Sequence, residues 1–178
     1  GGEDTADTKP FITNELIGPS SLLQSLLKEG DDVVATIVCG DNYYGENIEE
    51  ASNEIFELIK DIEFDTLVAG PAFRAGRYGV ACGDFCKKVS EKLNKITITS
   101  MNDENPGVEM FKQFVYIVPG GASAAAMRKD LKRVVENLYK IYDSPTLLPQ
   151  SELDIFARSK RHQVINGHDK PASKRAVE

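Results

Sequence analysis

No stretch of the sequence approaches the ~18 consecutive apolar residues that a membrane-spanning helix needs, and the start, Gly1-Gly2-Glu3-Asp4, lacks the basic and apolar regions of a secretory signal. Membrane insertion is not expected, and a cytoplasmic location is. Cysteine is scarce: Cys39, Cys82 and Cys86 form an odd set, which excludes a disulfide framework and suits reduced thiols. Histidine is scarcer, with only His162 and His168 in a polar tail. Cys82 and Cys86 stand four apart on one expected helix, but without a second pair or a nearby histidine they lack zinc spacing, so core packing is favoured and no metal is expected. Positive charge is in deficit too: 21 lysines and arginines face 28 acidic residues, and the net charge of -7 disfavours nucleic acid. Internal repeats, low-complexity tracts and a complete phosphate-loop or dinucleotide fingerprint are also missing, so nucleotide binding has no support.

What is present is enough apolar content, 41% of 178 residues, for one core with helices around it. Pro19-Ser20-Ser21 predicts a helix entry, followed by Leu22, Leu23, Leu26 and Leu27 and stopped at Glu29-Gly30. The β-branched run from Asp32 to Cys39 predicts a strand covered on both faces, with Gly40–Gly45 as its exit loop. A helix is expected from Asn47 to Ile62, a strand from Thr66 to Gly70 and a helix from Tyr78 to Asn94. Ile96–Met101 and Phe114–Val118 give two more strands, and Gly120-Gly121 opens the longest helix, which runs to Asp143. Strands alternating with helices at this spacing predict an α/β fold: a doubly wound, mostly parallel sheet of four or more strands with helices on both faces, Rossmann- or flavodoxin-like. Residues 1–143 form this domain. Residues 144–178 read as a connecting segment, with a short helical turn at Leu153–Phe156 and a basic stretch from Ser159 to Lys170, leading to a carboxyl-terminal half that the chain lacks; both ends look cut.

Ligands of open parallel sheets gather in the loops at the carboxyl ends of the strands. After the first expected strand, Cys39 is followed by Gly40, Asp41, Asn42, Tyr43, Tyr44, Gly45 and Glu46, a set of carboxylate, amide and phenol groups with a thiol at the strand end. The alternative is a turn and cap made by Asp41 and Asn42, with Cys39 as a small apolar residue. After the second strand, Arg74 and Arg77 flank a helix start beside Tyr78, a suitable fork for a substrate carboxylate unless the arginines pair with acids such as Asp41 or Glu46. The third loop offers Glu104 and Asn105 before Pro106, which also suits a first helical turn. The fourth, Pro119-Gly120-Gly121, is a weak anion-binding signal. The substrate-binding candidates are therefore Asp41, Asn42, Tyr43, Glu46, Arg74, Arg77, Tyr78, Glu104 and Asn105, for a small zwitterionic or carboxylate ligand.

At these loops the sequence resembles the selenoprotein B family of glycine, sarcosine, betaine and D-proline reductases. The segments that carry the likeness are Gly1-Gly2-Glu3-Asp4 with Ala6-Asp7, VATIVCGDNYYGEN from Val34 to Asn47, AGPAFRAGRYGVACGDFCK from Ala69 to Lys87 and ENPGVEM from Glu104 to Met110. Asp169-Lys170-Pro171-Ala172 and Arg175-Ala176-Val177-Glu178 add to it. The resemblance implies a cytoplasmic, multi-subunit reductase that cleaves a carbon-nitrogen bond. Substrate is held on the pyruvoyl group of a partner subunit, a selenocysteine in the carboxyl-terminal half attacks the α-carbon, and a second selenoprotein takes up the product in glycine-type systems. Thiols supply the reducing equivalents. No cofactor is expected within this chain, which has no selenocysteine, and an oligomer is expected. The isolated fragment should be inactive, and Cys39 is a candidate auxiliary thiol only. The competing reading is a non-catalytic binding or assembly module of the same fold.

Overall fold

A computed structural model describes residues 5–144 and 152–157. The basic stretch Ser159–Lys170, both histidines, Gly1–Asp4 and the family-like segments beyond Asp169 lie outside the described residues. The chain divides into two compact units, one ending at Phe64 and one beginning at Asp65.

The first unit contains β1 (Phe11–Thr13), α1 (Pro19–Leu26), β2 (Thr36–Val38), α2 (Asp41–Glu46) and α3 (Ile48–Ile59). β1 and β2 pair antiparallel, Phe11 opposite Val38 and Thr13 opposite Thr36. The long strand expected over Asp32–Cys39 is thus cut to three residues, half-buried rather than covered on both faces, and it belongs to no parallel sheet. The cause is local: the Val33 N–H donates to the Gln24 side chain at 2.7 Å, and Val34 stands 52% exposed. The expected exit loop is also corrected, since Asp41–Glu46 is helical. In α3, Ala51, Ile55 and Ile59 form the buried stripe, as their spacing predicts.

The second unit contains β3 (Thr66–Ala69), α4 (Gly76–Leu93), β4 (Ile96–Met101), α5 (Pro106–Phe111), β5 (Tyr116–Pro119) and α6 (Met127–Asp143). The strands are parallel in the order β3-β4-β5. This is an α/β arrangement with three parallel strands among the described residues, where four or more were expected; the missing one is β2, which pairs elsewhere. The helix expected from Gly120 begins at Met127, after a 3-10 turn at Ala124–Ala126, and α4 exceeds it by one residue.

Successive strand residues point to opposite faces, and the core divides accordingly. Leu67, Ala69, Met101 and Ile117 meet α4 and α5 through Cys82, Cys86, Val108 and Phe111. Val68, Ile96, Ile98, Tyr116 and Val118 meet α6 through Val134, Leu138 and Ile141. Helices therefore cover both faces of the sheet. Both crossover helices, α4 and α5, share one face, so the two β-α-β connections have the same hand. They approach closely because α4 carries Gly79 and Gly83: a Cβ at Gly79 would lie 2.2 Å from Asn105 Oδ1, and one at Gly83 2.3 Å from the Phe111 ring.

The spacing of the two buried thiols has a geometric explanation. Four residues of helix rise about 6 Å and two residues of strand about 6.7 Å, so Cys82 and Cys86 on α4 come level with Thr99 and Thr97 on β4. Each thiol faces its threonine hydroxyl, although no hydrogen bond of ordinary geometry reaches Thr99 Oγ1. Burial pushes Cys82 up to about 12 and Cys86 well above the usual thiol value, so both stay protonated.

Glu152 is 3-10 helical, and Leu153–Phe156 is bent and irregular where a short helical turn was expected. Phe156 donates its N–H to the Ile117 carbonyl at 2.9 Å on the outer edge of β5. Asp154 accepts from Arg133 and donates its backbone N–H to Asn137 at 2.7 Å, while Leu153 is buried beneath α6. The segment so covers a strand edge that would otherwise be open.

Candidate functional site

In the first unit the polar loop residues are largely spent on local structure. The Asn42 and Tyr43 N–H groups both donate to the Ala6 carbonyl, at 2.9 and 3.0 Å, and Asn42 Nδ2 donates to Asp7. Tyr43 donates its hydroxyl proton to Glu54 at 2.5 Å, and that bond pushes its ionisation up to about 12. Asp41 opens α2 and Glu46 ends it in solvent. Cys39 is half-buried; burial, with Glu54 and Asp41 nearby, pushes its thiol up to about 11. A thiol so shifted is scarcely ionised at neutral pH, the opposite of the lowered value that activates a cysteine.

The second unit gathers its loops at the carboxyl edge of the sheet, and Asn102 is the hub. Its N–H donates to the Phe73 carbonyl at 2.9 Å, in the loop after β3. Its Nδ2 donates to the Gly120 carbonyl at 3.2 Å, in the loop after β5. Its Oδ1 accepts from the Glu104 N–H at 3.1 Å and from Arg74 Nε at 3.4 Å. Arg74 completes the arrangement with an ion pair from Nη2 to Glu104 Oε2 at 2.5 Å. Both partners remain in solvent, 58% and 65% exposed. The sequence allowed the arginines to pair with acidic residues; Arg74 does so with Glu104, because the loops after β3 and β4 are adjacent. Phe73, next to Arg74, is held at φ 54, a left-handed conformation that costs a side-chain-bearing residue ~1 kcal/mol. Two hydrogen bonds to its carbonyl, from Asn102 and from Asn105 Nδ2 at 3.0 Å, hold it there.

Asn105 is 2% exposed and fully occupied: it caps α5 by accepting from the Gly107 N–H at 3.0 Å and donates to Phe73 and Ala75. Tyr78 turns its hydroxyl inward, toward Cys82 and the Gly70 backbone, and the nearby thiol and burial raise its ionisation. Arg77 is exposed in the first turn of α4. Of the predicted residues the structure therefore brings together Arg74, Glu104 and Asn105, in the neighbourhood of Arg77 and Tyr78, and of these five Arg74, Arg77 and Glu104 face solvent.

Asn102 and Asp130 escaped the sequence reading. Asp130 is 1% exposed in the first turn of α6, and both carboxylate oxygens accept from the Gly121 N–H, at 3.1 and 3.0 Å. A Cβ at Gly120 would lie 2.8 Å from Asp130 Oδ2 and 2.6 Å from Ser100 Oγ. The glycine pair thus exists for close approach to a buried carboxylate, which opposes anion binding at that loop. A signal was available: Asp130 lies on the apolar stripe of its own helix, three residues after Met127 and four before Val134.

Among the described residues no three histidine, cysteine, aspartate or glutamate side chains gather to hold a metal ion, and no helix is long and apolar enough to cross a membrane. No solved structure matches the chain. Over residues 1–178 it matches the family described as glycine/sarcosine/betaine reductase selenoprotein B. It is 47% identical, over its whole length and 40% of the relative's, to the betaine reductase complex component B subunit beta of Peptoclostridium acidaminophilum. To the glycine reductase complex component B subunit gamma of the same organism it is 48% identical over 79% of this chain and 32% of that one. To its sarcosine reductase complex component B subunit beta it is 39% identical, again over the whole chain and 40% of the relative. The chain thus spans about two fifths of the length of the relatives it matches end to end. On the strength of that end-to-end match, the chain belongs to the glycine/sarcosine/betaine reductase selenoprotein B family.

Proposed function

We propose that this chain is the substrate-holding part of a subunit in a cytoplasmic, multi-subunit reductase that removes the amine from glycine, sarcosine or betaine, with D-proline as a further family substrate. Arg74 is the carboxylate anchor. The single observation that carries this reading is the Arg74 guanidinium itself, solvent-exposed at the carboxyl edge of a parallel sheet and oriented by Asn102. Glycine, sarcosine and betaine, named for the relatives, differ at nitrogen and share the carboxylate that such a fork binds.

The redox chemistry belongs to a selenocysteine outside these residues and to a partner's pyruvoyl group, as the family resemblance implies. The thiols here fit that division. Cys82 and Cys86 are sealed in the core, and Cys39 is held protonated. What the chain supplies is binding and orientation: Asn102 fixes the Nε side of Arg74 and leaves its outer end to the ligand. Arg77, exposed on the first turn of α4, adds positive potential at the same edge.

In the assembled reductase, Arg74→Ala should raise KM for betaine about tenfold or more, the worth of a charge-assisted hydrogen bond. An unchanged KM in a correctly assembled complex would remove Arg74 from the site.

A further inference from the structure

The carboxylate that occupies Arg74 in this structure is the protein's own. Glu104 reaches the guanidinium at 2.5 Å from the neighbouring loop, yet its side chain is 65% exposed, and among the described residues it makes no second ion pair or side-chain hydrogen bond. The Nε side of Arg74 is taken by Asn102, so a bound carboxylate must use the outer nitrogens, and Glu104 sits on one of them. An exposed ion pair of this kind is worth little against water and is easily exchanged.

We propose that Glu104 is an exchangeable placeholder: the substrate carboxylate displaces it from Arg74, and Glu104 sets the affinity by competing for the same nitrogen. The inference rests on the reading of Arg74 as the anchor. It concerns one ligand chemistry, a small amino acid whose carboxylate matches that of a glutamate side chain. In the empty site Glu104 keeps the guanidinium paired and pointed outward. On exchange it is released to solvent, where its exposure already places much of it, so binding trades one ion pair for another. The Arg74 guanidinium stays paired throughout. The cost is affinity, since every substrate must win against a tethered rival.

The test is steady-state kinetics of the assembled reductase with betaine. Glu104→Gln keeps the size and removes the charge; KM should fall about two- to fivefold with kcat unchanged. Asp103→Asn is the control, because Asp103 is equally close in sequence and makes no ion pair with Arg74. Its KM should stay within about twofold of the parent, and an equal fall in both variants would mean a general field effect and overturn the exchange. A KM for Glu104→Gln that is unchanged or higher, while Arg74→Ala raises KM, overturns the placeholder and leaves the anchor standing. If Arg74→Ala itself leaves KM unchanged, both fall together.

Discussion

The two units bury their hydrophobic residues to different extents. From Asp65 onward, β4 is buried at every position and the strands carry apolar residues to two helical layers. Before Phe64 the strands are three residues long and half-buried, and Phe11, Leu16, Ile17, Val34, Ile48 and Leu58 stand exposed. The difference teaches where a loop gains its rigidity. In the second unit three loops spring from adjacent parallel strands and are laced together through Asn102. In the first, the loop after β2 is tied to its own amino-terminal neighbours, Ala6 and Asp7. A site that must present a side chain at fixed geometry is better built on the former.

The largest effect that would break this contrast is a core truncation. Ile117 is fully buried at the centre of β5, where it touches α4, α5 and Phe156 through one cluster. Ile117→Ala should cost about 2–5 kcal/mol in urea unfolding, by lost burial and the cavity left behind. Val34→Ala, at a site 52% exposed, should stay within about 0.5 kcal/mol. Comparable losses in the two variants would mean that Val34 is covered and that the contrast between the units is false.

This contrast also marks what was legible in the sequence. In the second unit the strands Thr66–Ala69 and Ile96–Met101 and the stripe of α6 follow from apolar runs and 3.6-residue periodicity, and they lie where that pattern puts them. Asp32–Cys39 misled because a β-branched run states a preference for extended backbone without naming its partner; Gln24 took the Val33 amide and β1 took the rest. Arg74 was legible from its place in a strand-exit loop. Its partner was not, because Glu104 lies thirty residues away and only the parallel pairing of β3 with β4 brings the two loops together. Pro106 was legible as a first helical turn; Asn105, expected as a substrate-binding candidate, is the buried cap of that helix. Asn102 gave no local signal at all, since its importance lies in touching three loops at once.

A middle-sized effect would come from those caps and ties. Asn105→Ala removes the α5 cap from a buried position and takes one donor from each of the part-buried Phe73 and Ala75 carbonyls, the former keeping the Asn102 N–H, so it should cost about 1–3 kcal/mol. Asn42→Ala loses an exposed bond to Asp7 and should cost less than about 1 kcal/mol. The same urea curves check both. A cheap Asn105 and a costly Asn42 would reverse the ranking of the two loops.

The smallest effect is a pH dependence confined to the second unit. Burial raises Asp130 above the usual carboxylate value; the Gly121 N–H and the nearby Arg133 and Lys129 offset only part of this. With the folded value above the unfolded one, the native state binds more protons between the two, so stability is lost as pH rises through that interval. The full favourable contribution is present below the unfolded value near 3.8. Asp130→Asn, which has no charge to bury, should therefore gain on the parent as pH climbs from about 4 toward neutrality, and the gap between the two unfolding curves should level off above the folded value. A gap that moves the other way would mean that the Gly121 amide and the flanking cations outweigh burial, and that the glycine pair at the sheet edge is held by a carboxylate stabilised in its charged form. That result would also reopen the loop after β5 to the design seen at Arg74, where charge is presented and not buried.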